Sequence, residues 1–210
     1  MSFVYRPHIL VHPLAGSPPF LSIVTRSYKR PNYLKKCLQS VFEQHDPDFQ
    51  HIVLFDDVGV GSAKSNQALS ESLLYVTGEY VLIVDDDDII EDRDFIRFMK
   101  MRVISNQKVL GVIMQARVPG HIIPTDNQIN SHILRESFVS SSCFCLRQDI
   151  FNRFIQFFSV QAPGVSSDRH GGDFSMIDMV SKSCELEWHH RVVVHTPRWN
   201  FGQPESDSLW

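Results

Sequence analysis

The chain has 210 residues, of which 43% are hydrophobic and 21% are charged, and its formal net charge is −4 at pH 7. This size and balance predict one globular domain that folds without a structural metal or disulfides. The sequence has no basic run that would indicate a nucleic-acid partner. Its longest apolar stretches are far shorter than the roughly 20 residues of a membrane span. Four cysteines without a CxxC motif favour a reduced, cytoplasmic setting.

The first 90 residues alternate between apolar strands and helices. Residues 1–19, rich in proline and histidine, are expected to form an extended N-terminal arm. The segments that follow are predicted in the order strand, helix, strand, helix, strand: Phe20–Thr25, a helix beginning near Pro31, His51–Phe55, Ala63–Val76 and Tyr80–Val84. Continuously apolar strands of this kind are typical of a mainly parallel sheet flanked by helices. Ligands bind such sheets beyond the carboxyl ends of the strands, where this chain carries polar residues.

The second half is less regular, and its predicted elements alternate with two long loops. Helices are predicted over Phe95–Ile104, Gln148–Phe158 and Asp173–Ser183. Strands are predicted over Val109–Gln115, Phe138–Leu146 and Arg191–His195. The stretches Pro119–Asn130 and 159–172 are predicted to be loops.

Four consecutive aspartates follow the third predicted strand in the segment VLIVDDDD, Val81 to Asp88. Carboxylates two residues apart just beyond a buried strand can both reach one hard cation, because the chain leaves the pleat there. Mg²⁺ and Mn²⁺ favour oxygen ligands and keep positions open for phosphate oxygens. The alternative is a solvated acidic turn that precedes the next helix.

Four motifs follow one another along the chain: LSIVTRSYKRPNYLKKCLQSVF, HIVLFDD, GSAKSNQAL and GEYVLIVDDDD. In this order they resemble the nucleotide-binding half of family 2 glycosyltransferases of the GT-A fold. The resemblance implies a single GT-A-like, Rossmann-like α/β domain over 20–210, with 20–91 as the nucleotide-binding half and 92–210 as the acceptor half. It also implies an enzyme, a hexosyltransferase-like transferase that uses a nucleotide sugar.

The resemblance assigns roles to residues at the strand ends and on the second predicted helix. The residues implied to bind the nucleotide are Thr25, Arg26, Tyr28, Arg30, Asp56, Asp57, Lys64, Asp85 and Asp86. Asp85 and Asp87 are the implied ligands of Mn²⁺ or Mg²⁺, which would also hold the donor diphosphate. A late histidine serves as an additional metal ligand in some GT-A enzymes, and His195 stands at that place.

The segment GGDFSMIDMV, Gly171 to Val180, resembles the motif that carries the catalytic aspartate of inverting family 2 enzymes. Asp173 is by that resemblance the base that deprotonates the acceptor. Gly172 departs from the motif, since an acidic residue usually precedes the catalytic aspartate. The alternative for Asp173 is an aspartate favoured by the helix dipole.

The aromatic and histidine residues near the C-terminus give weaker indications. Trp188 and Trp199 are candidates for stacking on an acceptor sugar, and buried tryptophan is the alternative. His189, His190 and His195 are not expected to form a three-histidine zinc site. Successive residues of a strand face opposite sides, so His190 would point away from the face that His189 and His195 share.

The sequence therefore predicts an inverting, metal-dependent transfer from a nucleotide-diphosphate sugar, with a UDP-sugar as the expected donor, to a glycan or other hydroxyl acceptor. Three alternatives remain open. The pattern around Asp85 also fits haloacid-dehalogenase-like phosphatases, in which Asp173 and Asp178 would be the later acidic pair. The chain could also bind a nucleotide sugar without turnover. A nucleotidyltransferase on a related sheet would use the same groups and release pyrophosphate.

Overall fold

The computed structural model of the protein describes residues 8–12, 18–56, 69–70, 72–136, 138–159 and 172–197. Its strands are β1 His8–His12, β2 Leu21–Ser27, β3 Phe49–Phe55, β4 Tyr80–Ile83, β5 Ile89–Ile90, β6 Gly111–Val118, β7 His121–Ile123, β8 Phe144–Arg147 and β9 Glu187–His195. Its helices are α1 Pro31–Phe42, α2 Phe95–Ser105, α3 Asp126–Ser131, α4 Gln148–Phe154 and α5 Gly172–Ser183. Short 3-10 turns occupy Ser141–Cys143 and Ile155–Ser159. None of the helices described is long and apolar enough to cross a membrane.

The first half follows the predicted alternation of strands and helices. Strand β2 runs parallel to both β3 and β4, and α1 begins at Pro31, whose fixed φ suits the first helical position. Helix α1 buries its apolar face, which includes Leu34 and Val41, in the core. Of the helix predicted over 63–76, residues 69, 70 and 72 are helical, and a turn follows at 73–75.

The sheet is mixed, so the prediction of a mainly parallel sheet was wrong. Its strand order is β1-β3-β2-β4-β8-β6-β9-β5, with β7 paired to β6. Three neighbouring pairs are parallel, namely β3/β2, β2/β4 and β6/β9. The other five pairs are antiparallel. Strand β8 enters antiparallel between β4 and β6, yet its side chains are as apolar and buried as those of a parallel strand. The continuous apolar sequence of these strands therefore indicated that both of their faces are buried, but it did not indicate the direction of each strand.

Two further predictions in the second half needed correction. The predicted loop Pro119–Asn130 contains β7 and α3, and α3 is stabilised by a capping box. In that box the backbone N–H of Gln128 donates to the Thr125 hydroxyl, and the Thr125 N–H donates to Gln128 Oε1 at 3.0 Å. The predicted strand Phe138–Leu146 is regular only from Phe144, because Ser141–Cys143 form a 3-10 turn.

The centre of the sheet is closely packed around β4. All four residues of β4 are buried, and the Tyr80 hydroxyl donates to the carbonyl of Val109 at 2.7 Å. Gly78, just before β4, lies so close to β2 that a Cβ there would be 2.5 Å from the backbone nitrogen of Ser22. This packing fixes the position of the β4 carboxyl end, where the four aspartates begin.

Candidate active site

The loop from β2 to α1 brings two arginines toward the end of β4. Lys29 adopts a left-handed backbone with φ of 47°, which non-glycine residues rarely do. Arg30 follows as the N-cap residue of α1, and Arg26 lies near the end of β2. Because β2 and β4 are parallel neighbours, both arginines start from the same edge of the sheet as the aspartates.

The four aspartates form a tight turn rather than a solvated run. The N–H of Asp88 donates to the carbonyl of Asp85 at 2.9 Å, and Asp88 Oδ2 accepts from the N–H of Asp85 at 3.2 Å. The hydroxyl of Thr196, just after β9, donates to the other carboxylate oxygen of Asp88. Burial raises the pKa of Asp88 well above its ordinary value. Asp88 is therefore a structural residue that closes the turn and joins it to β9.

Arg26 forms a two-point ion pair with Asp85. Its Nε donates to Asp85 Oδ1 at 2.9 Å, and its Nη2 lies 2.6 Å from Oδ1 and 2.9 Å from Oδ2. Such paired N–H donors match the geometry of a carboxylate and make this contact stronger than a single hydrogen bond.

Arg30 binds the next two aspartates. Its Nε donates to Asp86 Oδ2 at 3.2 Å, its Nη2 contacts Asp86 Oδ1, and its Nη1 lies 2.8 Å from Asp87 Oδ2. Burial raises the pKa of Asp86 to about 7 although Arg30 lowers it, and burial likewise raises the pKa of Asp87. The Asp86 carboxylate is wholly buried against Arg30, so its side chain supports the turn.

Asp173 lies close to this acidic turn from the other half of the chain. It is the second residue of α5, and its Oδ2 accepts from the backbone N–H of Ser141 at 3.0 Å. The hydroxyl of Ser141 reaches Asp85 Oδ2 at 3.4 Å. Burial raises the pKa of Asp173 to about 6, while the positive charge of Arg26 opposes that rise. A carboxylate with such a pKa is largely ionised at pH 7 and can accept a proton.

The other predicted nucleotide-binding residues divide into three groups. The Thr25 side chain is fully buried, and its hydroxyl lies in the core 2.8 Å from His51 Nε2. Tyr28 is half-buried in the β2–α1 loop, and the N–H of Asp56, directly after β3, donates to the carbonyl of Ser27 at 2.8 Å. Asp57 and Lys64 lie outside the described residues.

The three histidines of β9 each lie close to a different carboxylate. His195 Nδ1 lies 3.4 Å from a carboxylate oxygen of Glu91. His190 lies 3.1 Å from Asp126, and His189 lies 3.1 Å from Glu187. Within the described residues, no three histidine, cysteine or acidic side chains are grouped as a ready metal site.

Of the two tryptophans predicted to stack on an acceptor sugar, Trp188 lies within the described residues. The Trp188 ring stacks on His132, with ring centroids 5.1 Å apart, near the start of β9. The Cα of His195, at the other end of β9, pairs with that of Ile89, just after the aspartates. Trp188 is therefore at the opposite end of β9 from the acidic turn. Trp199 lies outside the described residues.

The chemistry of Asp85 and Asp87 fits a hard divalent cation. Both are carboxylates, which supply the oxygen ligands that Mg²⁺ and Mn²⁺ prefer. Asp85 is the more accessible, with 30% of its side chain exposed against 10% for Asp87. Among the described residues, the four aspartates of the turn and Asp173 lie around two arginines, so a cation would balance charge. Each carboxylate is held by an arginine, however, and a cation must compete with that contact.

Sequence reasoning missed Ser141, Thr196 and the pairing of each arginine with its aspartate. The run Ser140–Ser142 before a strand was a signal for polar contacts, but it named no partner. Arg26 and Asp85 are 59 residues apart in sequence, and Ser141 and Asp85 are 56 apart. These contacts exist only because β2, β4 and the turn before β8 meet at one edge of the sheet.

The mixed sheet and its helices form an α/β fold of the kind found in solved glycosyltransferases. No family model matches the sequence, and no curated protein matches it. Solved glycosyltransferases nevertheless share its fold. S. aureus TarS 1-349 in complex with UDP-GlcNAc matches with a TM-score of 0.58 and 13% identity, over 86% of this chain and 59% of that one.

Two other solved structures show the same fold. Mannosyltransferase PcManGT from Pyrobaculum calidifontis, in complex with GDP-Man and Mn²⁺, matches with a TM-score of 0.55 and 16% identity over 90% of this chain and 61% of that one. A glycosyltransferase involved in glycosylation of the major capsid of PBCV-1 matches with a TM-score of 0.57 and 10% identity, over 87% of this chain and 94% of that one. The chain thus spans about 60% of the TarS 1-349 and PcManGT chains and nearly the whole of the third.

Proposed function

We propose that this chain is an inverting glycosyltransferase of family 2 that moves a sugar from a nucleotide diphosphate to an acceptor hydroxyl. The observation that carries the proposal is the meeting of Asp85 and Asp173 through Ser141 and Arg26. A donor-binding carboxylate and a base thereby stand side by side. Similar solved structures with UDP-GlcNAc or GDP-Man bound support a nucleotide sugar as the donor, with a UDP-sugar as the first candidate.

In the proposed reaction Asp173 acts as the general base. Its carboxylate takes the proton of the acceptor hydroxyl while that oxygen bonds to the anomeric carbon of the sugar. The bond between the anomeric carbon and the diphosphate oxygen breaks, and its electron pair leaves with the nucleoside diphosphate. The attack comes from the face opposite the leaving group, so the configuration inverts. The Ser141 N–H orients the base by bonding to its Oδ2.

Asp85 and Asp87 would hold a divalent cation at the strand end. When bound, Mn²⁺ or Mg²⁺ supplies Lewis-acid stabilisation of the charge that develops on the departing diphosphate. A complex of a similar protein with GDP-Man and Mn²⁺ supports this part of the proposal. Arg30 fixes the turn that carries Asp87, and Arg26 supplies a positive charge beside Asp85 and Asp173.

The test is a thermal-shift panel of UDP, GDP, CDP and dTDP, each with Mn²⁺ or with a chelator. We expect one diphosphate to raise the melting temperature only with metal, and we expect Asp87→Ala to abolish that shift. Asp178→Ala is the control for loss of an aspartate outside the acidic turn, because Asp178 lies on α5 and pairs with Lys182 at 2.6 Å. The control variant should keep the shift.

Two outcomes would favour the alternatives. No shift with any diphosphate, together with an aspartyl phosphate trapped on Asp85, would support the phosphatase. A metal-dependent shift without sugar transfer to any hydroxyl acceptor, in the wild type and Asp173→Asn alike, would support a binding protein.

A further inference from the structure

Arg26 and the proposed cation require the same carboxylate. The guanidinium of Arg26 contacts both oxygens of Asp85, at 2.9 Å from Nε to Oδ1 and 2.9 Å from Nη2 to Oδ2. A hard cation bound by Asp85 would need at least one of those oxygens. The following inference therefore rests on the proposed function, in which Asp85 helps to hold the cation.

The ion pairs of the two arginines differ in how much free energy is needed to break them. The Arg30 side chain is 9% exposed and is held by two aspartates, one of them wholly buried. Arg26 is 16% exposed and its partner Asp85 is 30% exposed, so this pair borders solvent. Breaking a pair that borders water costs less than leaving a buried carboxylate unpaired. Arg30 is the fixed support of the turn, and Arg26 is the arginine that can move.

A cation on Asp85 would also repel Arg26. The guanidinium would then stand beside a divalent positive charge, and Asp173 and Asp86 are other carboxylates near it. An incoming nucleoside diphosphate offers several anionic oxygens, which bind a guanidinium in the same two-point manner as a carboxylate.

We propose that Arg26 exchanges partners during donor binding, leaving Asp85 for the diphosphate as the divalent cation takes Asp85. Without nucleotide, Arg26 competes with the cation for Asp85 and keeps cation affinity low. With the diphosphate bound, Arg26 has a new anionic partner and Asp85 is released. Cation and donor binding are thereby coupled, and couplings of this kind are typically about 5- to 150-fold.

The experiment measures two affinities in the wild type and in Arg26→Met. One is the affinity for Mn²⁺ alone, from the electron paramagnetic resonance signal of free Mn²⁺. The other is the affinity for UDP, and separately for GDP, by calorimetry at saturating Mn²⁺. We expect Arg26→Met to bind Mn²⁺ alone about tenfold more tightly and the preferred diphosphate about tenfold more weakly. Arg26→Lys, which keeps the charge but loses the two-point contact, should lie between the two.

Lys29→Met is the matched control for loss of one positive charge in the same loop. The Lys29 Nζ lies over the Tyr28 ring at 5.5 Å from its centroid, and Lys29 is exposed. This variant should leave both affinities within about twofold of the wild type. Thermal unfolding of each variant verifies that it is folded.

Opposite changes in the two affinities distinguish exchange from a purely structural role. If Arg26→Met weakens both affinities, or leaves Mn²⁺ binding unchanged, the exchange is wrong while the transferase proposal stands. If the wild type binds neither Mn²⁺ nor a diphosphate, the proposed function and the exchange fail together.

Discussion

Replacing Asp173 with asparagine should remove activity and increase stability at the same time. Asparagine keeps the shape of the side chain and can still accept the hydrogen bond that the Ser141 N–H donates to Asp173 at 3.0 Å. It removes the negative charge, so it cannot take a proton from an acceptor. Arg26 keeps its ion pair with Asp85, so the substitution leaves no unpaired arginine.

The expected stability change follows from the pKa of Asp173. Burial raises the pKa from 3.8 to about 6 in the folded protein. A difference of about 2 pKa units corresponds to about 3 kcal/mol, which solvent at this half-buried side chain reduces to roughly 1–2 kcal/mol. The folded state holds its proton up to about pH 6, whereas the unfolded chain releases it near pH 4. The cost of ionisation therefore grows as pH rises from 4 to 6 and is fully present above 6.

Urea unfolding at pH 4 and pH 8 measures this effect. Asp173→Asn should be more stable than the wild type by about 1–2 kcal/mol at pH 8, a rise of roughly 2–8 °C in melting temperature, and about equal at pH 4. In the sugar-transfer assay its kcat/KM should fall by about 10²–10⁴. The wild-type kcat/KM should fall about tenfold per pH unit below pH 6, because the base is then protonated.

Asp178→Asn, on the same helix, should leave kcat/KM unchanged. Two results would refute this reasoning about Asp173. Wild-type turnover in Asp173→Asn would exclude it as the base. A loss of stability at pH 8 that is absent at pH 4 would mean that its ionised carboxylate stabilises the fold.

Two further substitutions test the packing that supports the site. Gly78→Ala places a Cβ 2.5 Å from the backbone nitrogen of Ser22, so the two strands must separate, and we expect a loss of about 1–3 kcal/mol by urea unfolding. A stability within 0.5 kcal/mol of the wild type, roughly the effect of a neutral surface change, would contradict this packing. Arg30→Met leaves the buried carboxylate of Asp86 without its arginine and should cost about 3–5 kcal/mol at pH 8. Because the pKa of Asp86 is raised to about 7, its carboxyl is protonated at pH 5.5, and the loss of stability should be smaller there. An equal loss of stability at both pH values would show that the unpaired Asp86 carboxylate is not its cause.

The order of elements in the first half was predictable because its signals are local. Proline at the first helical position and the apolar spacing of Leu34 and Val41 lie within single turns of α1. The strand that ends in four aspartates and the helix that begins at Gly172 were also visible, since both are short contiguous patterns. The capping box at Thr125 was equally local, and the loop prediction overlooked it.

The direction of the second-half strands was decided by contacts between distant segments. Strand β8 pairs antiparallel with both β4 and β6, and it buries its side chains as a parallel strand would. Only the path of the chain between these strands separates the two possibilities. A pattern of apolar residues contains no information on that path.

The sequence alone determined which residues carry charge at the strand ends, including Arg26, Arg30 and Asp85. The tertiary structure decided which of them meet. It buried the Thr25 hydroxyl in the core and paired Asp86 with Arg30. It also linked Asp173 to Asp85 through Ser141, whose backbone N–H donates to Asp173 and whose hydroxyl donates to Asp85. Ion pairs and hydrogen bonds depend on distances of about 3 Å, and the packing of β2 against β4, together with the turn before β8, sets those distances.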